Sequence, residues 1–348
     1  MKRPFDKKSI FNILMLLLSV SMLVYFCVSE NGLLDLIKSA KQFNKRWLIT
    51  AVICHFLNIL IDAFLIFRFV NTDKQFYSFK DAFKCCMVGQ FFSAVTPGAS
   101  GGQPMQVYSM SQKGLDPGRA TSALVQKFLV YQSTITIYSA LAIFFKSHLF
   151  KGEIMHLMRG ILIFGFCSQA FVIIIILLFS FNKNLTYRII SQIFEYLSRL
   201  RIIKNKDKKM ENIKSQLEYF HLNNSRLYKN QTLVLESYVL TAMQITCMFV
   251  VPYCIYRSFQ FHGAKVFDMI ASQAFVSVIS AFMPLPGGSG AAEGGFLIFF
   301  GFFFTDQTIK PAVLLWRIIT YFFTILISFP FSRISKKQDK GTYTINIS

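Results

Sequence analysis

Two stretches decide how this chain is read: Ser93-Ala-Val-Thr-Pro97-Gly98-Ala-Ser-Gly101-Gly102-Gln103 and Ser280-Ala-Phe-Met-Pro284-Leu-Pro286-Gly287-Gly288-Ser-Gly290-Ala-Ala-Glu293. Both open Ser-Ala-x-x-Pro, run into glycines and reach a polar residue. Both lie inside apolar flanks. Proline removes a backbone donor and glycine loosens a helix, so neither stretch crosses a bilayer as one straight rod. Irregular backbone at membrane depth survives only where protein or a watery cavity satisfies it. Interrupted segments at matching places in two halves point to the binding site of a transporter.

Working outward, the flanks are those of a membrane protein. Hydrophobic residues make up 53% of the 348, with 40 Phe, and the mean hydropathy is +0.46. Runs of roughly 18 or more apolar residues mark spans at about 10–28, 47–70, 119–145, 157–181, 231–257 and 311–332. The interrupted stretches, about 82–110 and 267–304, each read as a hairpin of two half-helices. The expected fold is an all-α polytopic membrane protein of about six spans plus two re-entrant hairpins in an inverted repeat. A single transmembrane domain covers 1–335, and 336–348 form a disordered cytoplasmic tail. No signal-peptide cleavage site follows 10–28. No long soluble stretch is left for a catalytic domain.

The net charge of +20 would suggest nucleic acid in a soluble protein, but no nucleic-acid module is present. With the N-terminus in the cytoplasm and each hairpin entering and leaving on one side, 25 Lys and Arg fall in cytoplasmic loops and ten outside. That bias follows the positive-inside rule. It places both termini in the cytoplasm, and a multi-pass protein of the cell membrane is expected. The first hairpin then enters from the cytoplasm and the second from outside. Residues 184–230 are the only long polar stretch. They read either as one or two basic amphipathic helices on anionic inner-leaflet lipid or as a solvated helix pair. The seven Cys include no C-x-x-C pair, and the five His no H-E-x-x-H spacing, so neither a disulfide framework nor a metal site is expected. No cofactor is implied.

Charge inside spans is expensive and marks function by default. Asp62 shares a helix face with His55 and Asn58. Arg119 and Lys127 lie eight apart on the third span, Arg317 is in the last span, and Glu293 follows the second glycine cluster. Ser100 with Gln103 fits a capping box that would start a half-helix near mid-membrane, and Ser289 with Glu293 opens its counterpart. Facing N-termini would welcome an anion such as a lipid phosphate. Two roles stay open for the charges. Asp62–Lys127 and Glu293–Arg317 are internal staples, or Lys127 and Arg317 hold phosphate while the carboxylates balance or gate them. The candidate substrate-binding set is Asp62, Pro97, Gly98, Gly101, Gly102, Gln103, Arg119, Lys127, Pro286, Gly287, Gly288, Gly290, Glu293 and Arg317, with no catalytic or metal-binding residue.

On Val88–Pro104 and Pro284–Gly294 the chain resembles the lysylphosphatidylglycerol synthase transmembrane region, also called the flippase-like or UPF0104 family. In the bacterial multiple peptide resistance factor of that family, a similar membrane region precedes a soluble aminoacyltransferase and moves aminoacylated phosphatidylglycerol between leaflets. The resemblance implies a lipid flippase or scramblase for a phospholipid or other lipid-linked headgroup. The chain ends after its last span, so lipid aminoacylation by this polypeptide is not expected. No G-x-x-x-x-G-K-[ST] motif is present, so direct ATP coupling is not expected. Two other roles are compatible with the residues: a membrane partner of a separate synthase, and an integral enzyme acting on lipid headgroups; the partner would be that synthase or a second copy in a homo-oligomer.

Overall fold

The computed structural model describes residues 43–72, 77–146, 153–199, 206–281 and 285–333, and among these the regular structure is helical throughout. Five helical stretches are long and apolar enough to span a bilayer: Lys45–Val70, Pro117–Phe145, Ile163–Phe181, Gln231–Ser258 and Asp306–Ser332. They match five of the six spans read from the sequence; the sixth, about 10–28, lies outside the described residues. The last span begins at Asp306, earlier than expected, because Pro311 sits inside the helix instead of starting it.

The helices are α1 (Lys45–Val70), α2 (Phe79–Val95), α3 (Gly102–Gln112), α4 (Pro117–Lys146), α5 (Glu153–Phe181), α6 (Lys183–Arg199), α7 (Lys206–Lys229), α8 (Gln231–Phe249), α9 (Val251–Ser258), α10 (Val266–Ser280), α11 (Ala291–Phe300), α12 (Asp306–Arg317) and α13 (Phe323–Ser328). A π turn over Ile318–Phe322 joins α12 to α13. The tight turns Pro97–Ala99 and Pro286–Gly288 separate α2 from α3 and α10 from α11.

Both interrupted stretches are hairpins. At 17, 11, 15 and 10 residues, their arms reach about 26, 16, 22 and 15 Å, short of the roughly 30 Å hydrocarbon core. In the first, the arms pack along their length. Gly89 is pressed against the Gln106 side chain and Gly102 against the Ser93 hydroxyl, so a Cβ at either glycine would collide. At the base, Lys113 Nζ meets Asp81 Oδ1 at 2.9 Å. In the second, Phe275 stacks on Phe299 with ring centroids 4.7 Å apart, Gly295 lies against Val276, and Gly288 lies against Ser280.

The hairpins enter from opposite faces, and α1 is the ruler that shows it. At its start, Asn44 N–H donates to Ser258 O at 2.8 Å, beside the base of the second hairpin. At its end, Asn71 and Tyr77 exchange two hydrogen bonds of 2.8 Å, next to Ser78, which caps α2 by accepting from Asp81 N–H. One spanning helix therefore runs from one hairpin base to the other. The two tips touch, Pro97–Ala99 against Pro286–Gly288. The face that holds the first hairpin base also carries α7. There Gly118 N–H donates to Gln216 Oε1 at 2.8 Å, Asn223 Nδ2 donates to Ser122 Oγ at 3.0 Å, and Gln126 pairs with Asn224.

Apolar burial holds the two halves together. One cluster, including Phe275, Phe296, Phe299, Phe300 and Trp316, fills the second half, with a smaller one of Ile245, Phe249, Ile270 and Ala274. Another, including Ile59, Leu65, Ile66, Met87, Met110 and Leu124, fills the first.

Candidate functional site

Each turn reverses the chain through two consecutive left-handed residues. In the first these are Gly98 (φ 55°) and Ala99 (φ 56°); in the second, Gly287 (φ 64°) and Gly288 (φ 62°). The structural register therefore sets Pro97 opposite Pro286. The left-handed pair fixes the register, because that backbone conformation disfavours a Cβ.

The first turn is held by a hydroxyl. Thr96 Oγ1 accepts from Gly101 N–H at 2.9 Å and donates to Phe92 O at 2.5 Å. One side chain thus caps the end of α2 and the start of α3. The expected box of Ser100 and Gln103 does not form: α3 starts one residue later, at Gly102, and its cap residue Gly101 has no side chain to offer. Gly98, Ala99, Ser100 and Gln103 are exposed. As at any helix start, the N–H groups of Gly102 and Gln103 lack intrahelical partners.

The second turn is held by an ion pair. Glu293 Oε2 accepts from Gly290 N–H at 2.6 Å, so the acidic half of the expected cap is present, with Gly290 at the cap position. Its other oxygen accepts from Arg317 Nε at 2.7 Å, and Arg317 Nη1 donates to Gly287 O at 2.9 Å. Arg317 is only 5% exposed, and its Nη2 has no hydrogen-bond partner among the described residues. The guanidinium also lies 5.6 Å from the centroid of the Tyr321 ring. Tyr321 packs against Gly287 and donates its hydroxyl to Ala94 O at 2.9 Å. That residue stands in the π turn and joins the two hairpins. Single π turns inside α-helices recur at functional sites.

A second buried pair lies between α1 and α4. Lys127 Nζ meets Asp62 Oδ1 at 2.6 Å. Gln244 Nε2 approaches the same oxygen at 3.4 Å, and Cys86 Sγ donates to Oδ2 at 3.2 Å. His55, two turns earlier on α1, bonds Thr324 through Nε2 at 2.7 Å. Both staples weighed from the sequence are thus formed. Arg119 stands apart in the first turn of α4, its N–H on Asp116 Oδ1, about 12 Å along the helix from Lys127. Sequence reasoning missed Thr96, Tyr321, Cys86 and Gln244. Ser237, Thr241 and Gln244, all buried at helical spacing on an apolar span, were the available signal for the last.

Inverted re-entrant hairpins meeting inside a bundle of spans, with buried ion pairs beside them, define an all-α polytopic membrane protein. The chain matches the lysylphosphatidylglycerol synthase transmembrane region over residues 12–328 and belongs to that family. A UPF0104 membrane protein of Archaeoglobus fulgidus is 25% identical over 278 residues, which cover 77% of this chain and 80% of the relative.

Proposed function

We propose that this protein is a lipid translocase that moves an anionic or aminoacylated phospholipid, or another lipid-linked headgroup, between leaflets. The observation that carries the reading is Arg317: a buried guanidinium at the junction of two chain reversals whose Nη2 has no hydrogen-bond partner among the described residues. A buried cation is costly unless its donors are used. A headgroup phosphate would take the free Nη2 and draw on the dipole at the start of α3. The headgroup would occupy a polar, wet path at the hairpin tips while its acyl chains trail in the bilayer, which lowers the barrier to carrying charge through hydrocarbon. Rearrangement of the two halves about the touching tips would open that path alternately to each side. Lys127 belongs to the same path, with Asp62 as its counter-ion when no lipid is bound. Transport would run downhill or be driven by protons or membrane potential. The Lys and Arg bias puts the first hairpin base, α6 and α7 in the cytoplasm of a cell-membrane protein.

The test is reconstitution into vesicles holding a headgroup-labelled anionic phospholipid, with an impermeant quencher outside. The protein should let quenching proceed past the outer leaflet's share, and Arg317→Lys should slow it at unchanged protein content. Wild-type protein no faster than empty vesicles would reject the reading.

A further inference from the structure

Helix α6 carries more apolar surface than its neighbours cover. Its side chains fall into three strips. Thr186 and Phe194, both buried, flank Ile190 on the packed strip, and Lys214 of α7 reaches over Tyr187 at its edge, 5.5 Å from the ring centroid. Arg188, Gln192 and Glu195 form an exposed polar strip. Between them runs a second apolar strip of Leu185, Ile189, Ile193 and Tyr196, spaced four, four and three residues apart; Ile193 is 55% and Tyr196 65% exposed. Helical spacing keeps these four on one side of the helix.

The position of that strip names its occupant. Span α5 shows an outward row of Phe171, Ile174, Leu178 and Phe181, each more than half exposed, as a lipid-facing surface would be. Only Asn182 separates Phe181 from Lys183. The elbow is locked: Asn182 Oδ1 accepts from Leu185 N–H at 3.0 Å, and Thr186 Oγ1 donates to Phe179 O at 2.7 Å. Helix α6 is therefore held where a lipid-facing span leaves the bilayer. It cannot swing off with α7, because α7 is bonded to α4 through Gln216, Asn223 and Asn224. The segment 182–230 contains eleven Lys and Arg against four Asp and Glu. Amphipathic helices rich in cations seat their apolar face at the headgroup boundary of anionic membranes.

We infer that α6 is an interfacial anchor: its Leu185–Tyr196 strip lies in the boundary layer of an anionic bilayer, with α7 braced behind it. The inference stands whether or not the protein translocates lipid, and its test reads no transport. Hydrogen–deuterium exchange of the full chain would be followed in nanodiscs of phosphatidylcholine alone and of phosphatidylcholine with phosphatidylglycerol. Amides of 189–199 should exchange about tenfold or more slowly in the anionic discs, as burial of two large apolar side chains implies. In Ile193→Asp/Tyr196→Asp that protection should vanish while 216–229 stays protected, which shows that the fold is intact. Arg188→Glu, which leaves the apolar strip whole, should lose part of the phosphatidylglycerol effect. Equal exchange in both kinds of disc would overturn the anionic anchor. So would protection that appears only on adding a soluble protein extract, the result expected of a protein-docking face.

Discussion

The two hairpins use the same backbone device and secure it by opposite means. The first turn is closed by a neutral hydroxyl, Thr96, and leaves Gly98–Ser100 exposed. The second is closed by Glu293 and Arg317, both largely buried. A hydroxyl satisfies two backbone groups at little desolvation cost, whereas a buried ion pair is expensive to assemble and worse to break. The difference divides the labour. On the proposed reading the first tip would supply backbone donors, and the second a fixed charge whose Nη2 has no hydrogen-bond partner among the described residues. The left-handed pair shows the same contrast, Gly-Ala in the first hairpin and Gly-Gly in the second.

The largest expected effect comes from splitting the ion pair. Arg317→Ala strands Glu293 and should cost about 3–5 kcal/mol of stability. Arg317→Ala/Glu293→Ala should cost less than the single change, measured by denaturant titration in micelles. A double-variant cost equal to the sum of the Arg317→Ala and Glu293→Ala costs would mean the pair is not coupled. Next comes Thr96→Val, which keeps shape and removes the cap; it should cost about 1–3 kcal/mol, with Thr96→Ser nearly restoring it. A loss as large as that of Arg317→Ala would erase the contrast between hydroxyl and charge.

Smaller still is the backbone term. Gly288→Ala should destabilise by about 1 kcal/mol, and Ala99→Gly should gain up to about that much, because each concerns a side chain in left-handed backbone. Calorimetry of the two variants should give opposite signs. The smallest effect is at the first hairpin base. Burial raises the Asp81 carboxyl, but the Ser78 hydroxyl and the Lys113 ammonium outweigh it and hold Asp81 below its ordinary value. A lowered carboxyl stabilises above its unfolded pKa, and that support fades as the pH falls through the folded value. Protection against hydrogen exchange in 79–83 and 110–114, taken relative to the intrinsic rate at each pH, should therefore fall as the pH drops below about 4. The groups are partly exposed, so the gain is modest. Asp81→Asn should show the faster exchange already at neutral pH.

Charge scarcity is what made much of this legible. In apolar helices Asp62, Lys127, Glu293 and Arg317 have few other partners, and their pairing was one of two roles the sequence left open. The breaks were legible because closely spaced prolines and glycines weaken a helix together, whereas a lone Pro311 or Gly89 sits inside one. Their register was not, since proline spacing marks where a helix stops and the positive-φ residues mark where the chain turns. Thr96 was hidden as well: its hydroxyl closes the turn only because the reversal brings Gly101 N–H back to it. Tyr321 reaches Ala94 across 227 positions of sequence, a contact that no local pattern encodes.

The central claim is that two reversals entering from opposite faces meet tip to tip. It is tested most directly by a cysteine pair, Ala99→Cys with Gly288→Cys, in a chain whose seven native cysteines are replaced by alanine and which carries a protease site at 201–204. A short bifunctional thiol reagent applied in membranes should hold the two cleaved halves together on a denaturing gel, and neither single variant should do so. Free halves from the double variant, under conditions where a Ser78→Cys/Lys113→Cys pair at one hairpin base reacts with the same reagent, would contradict the account.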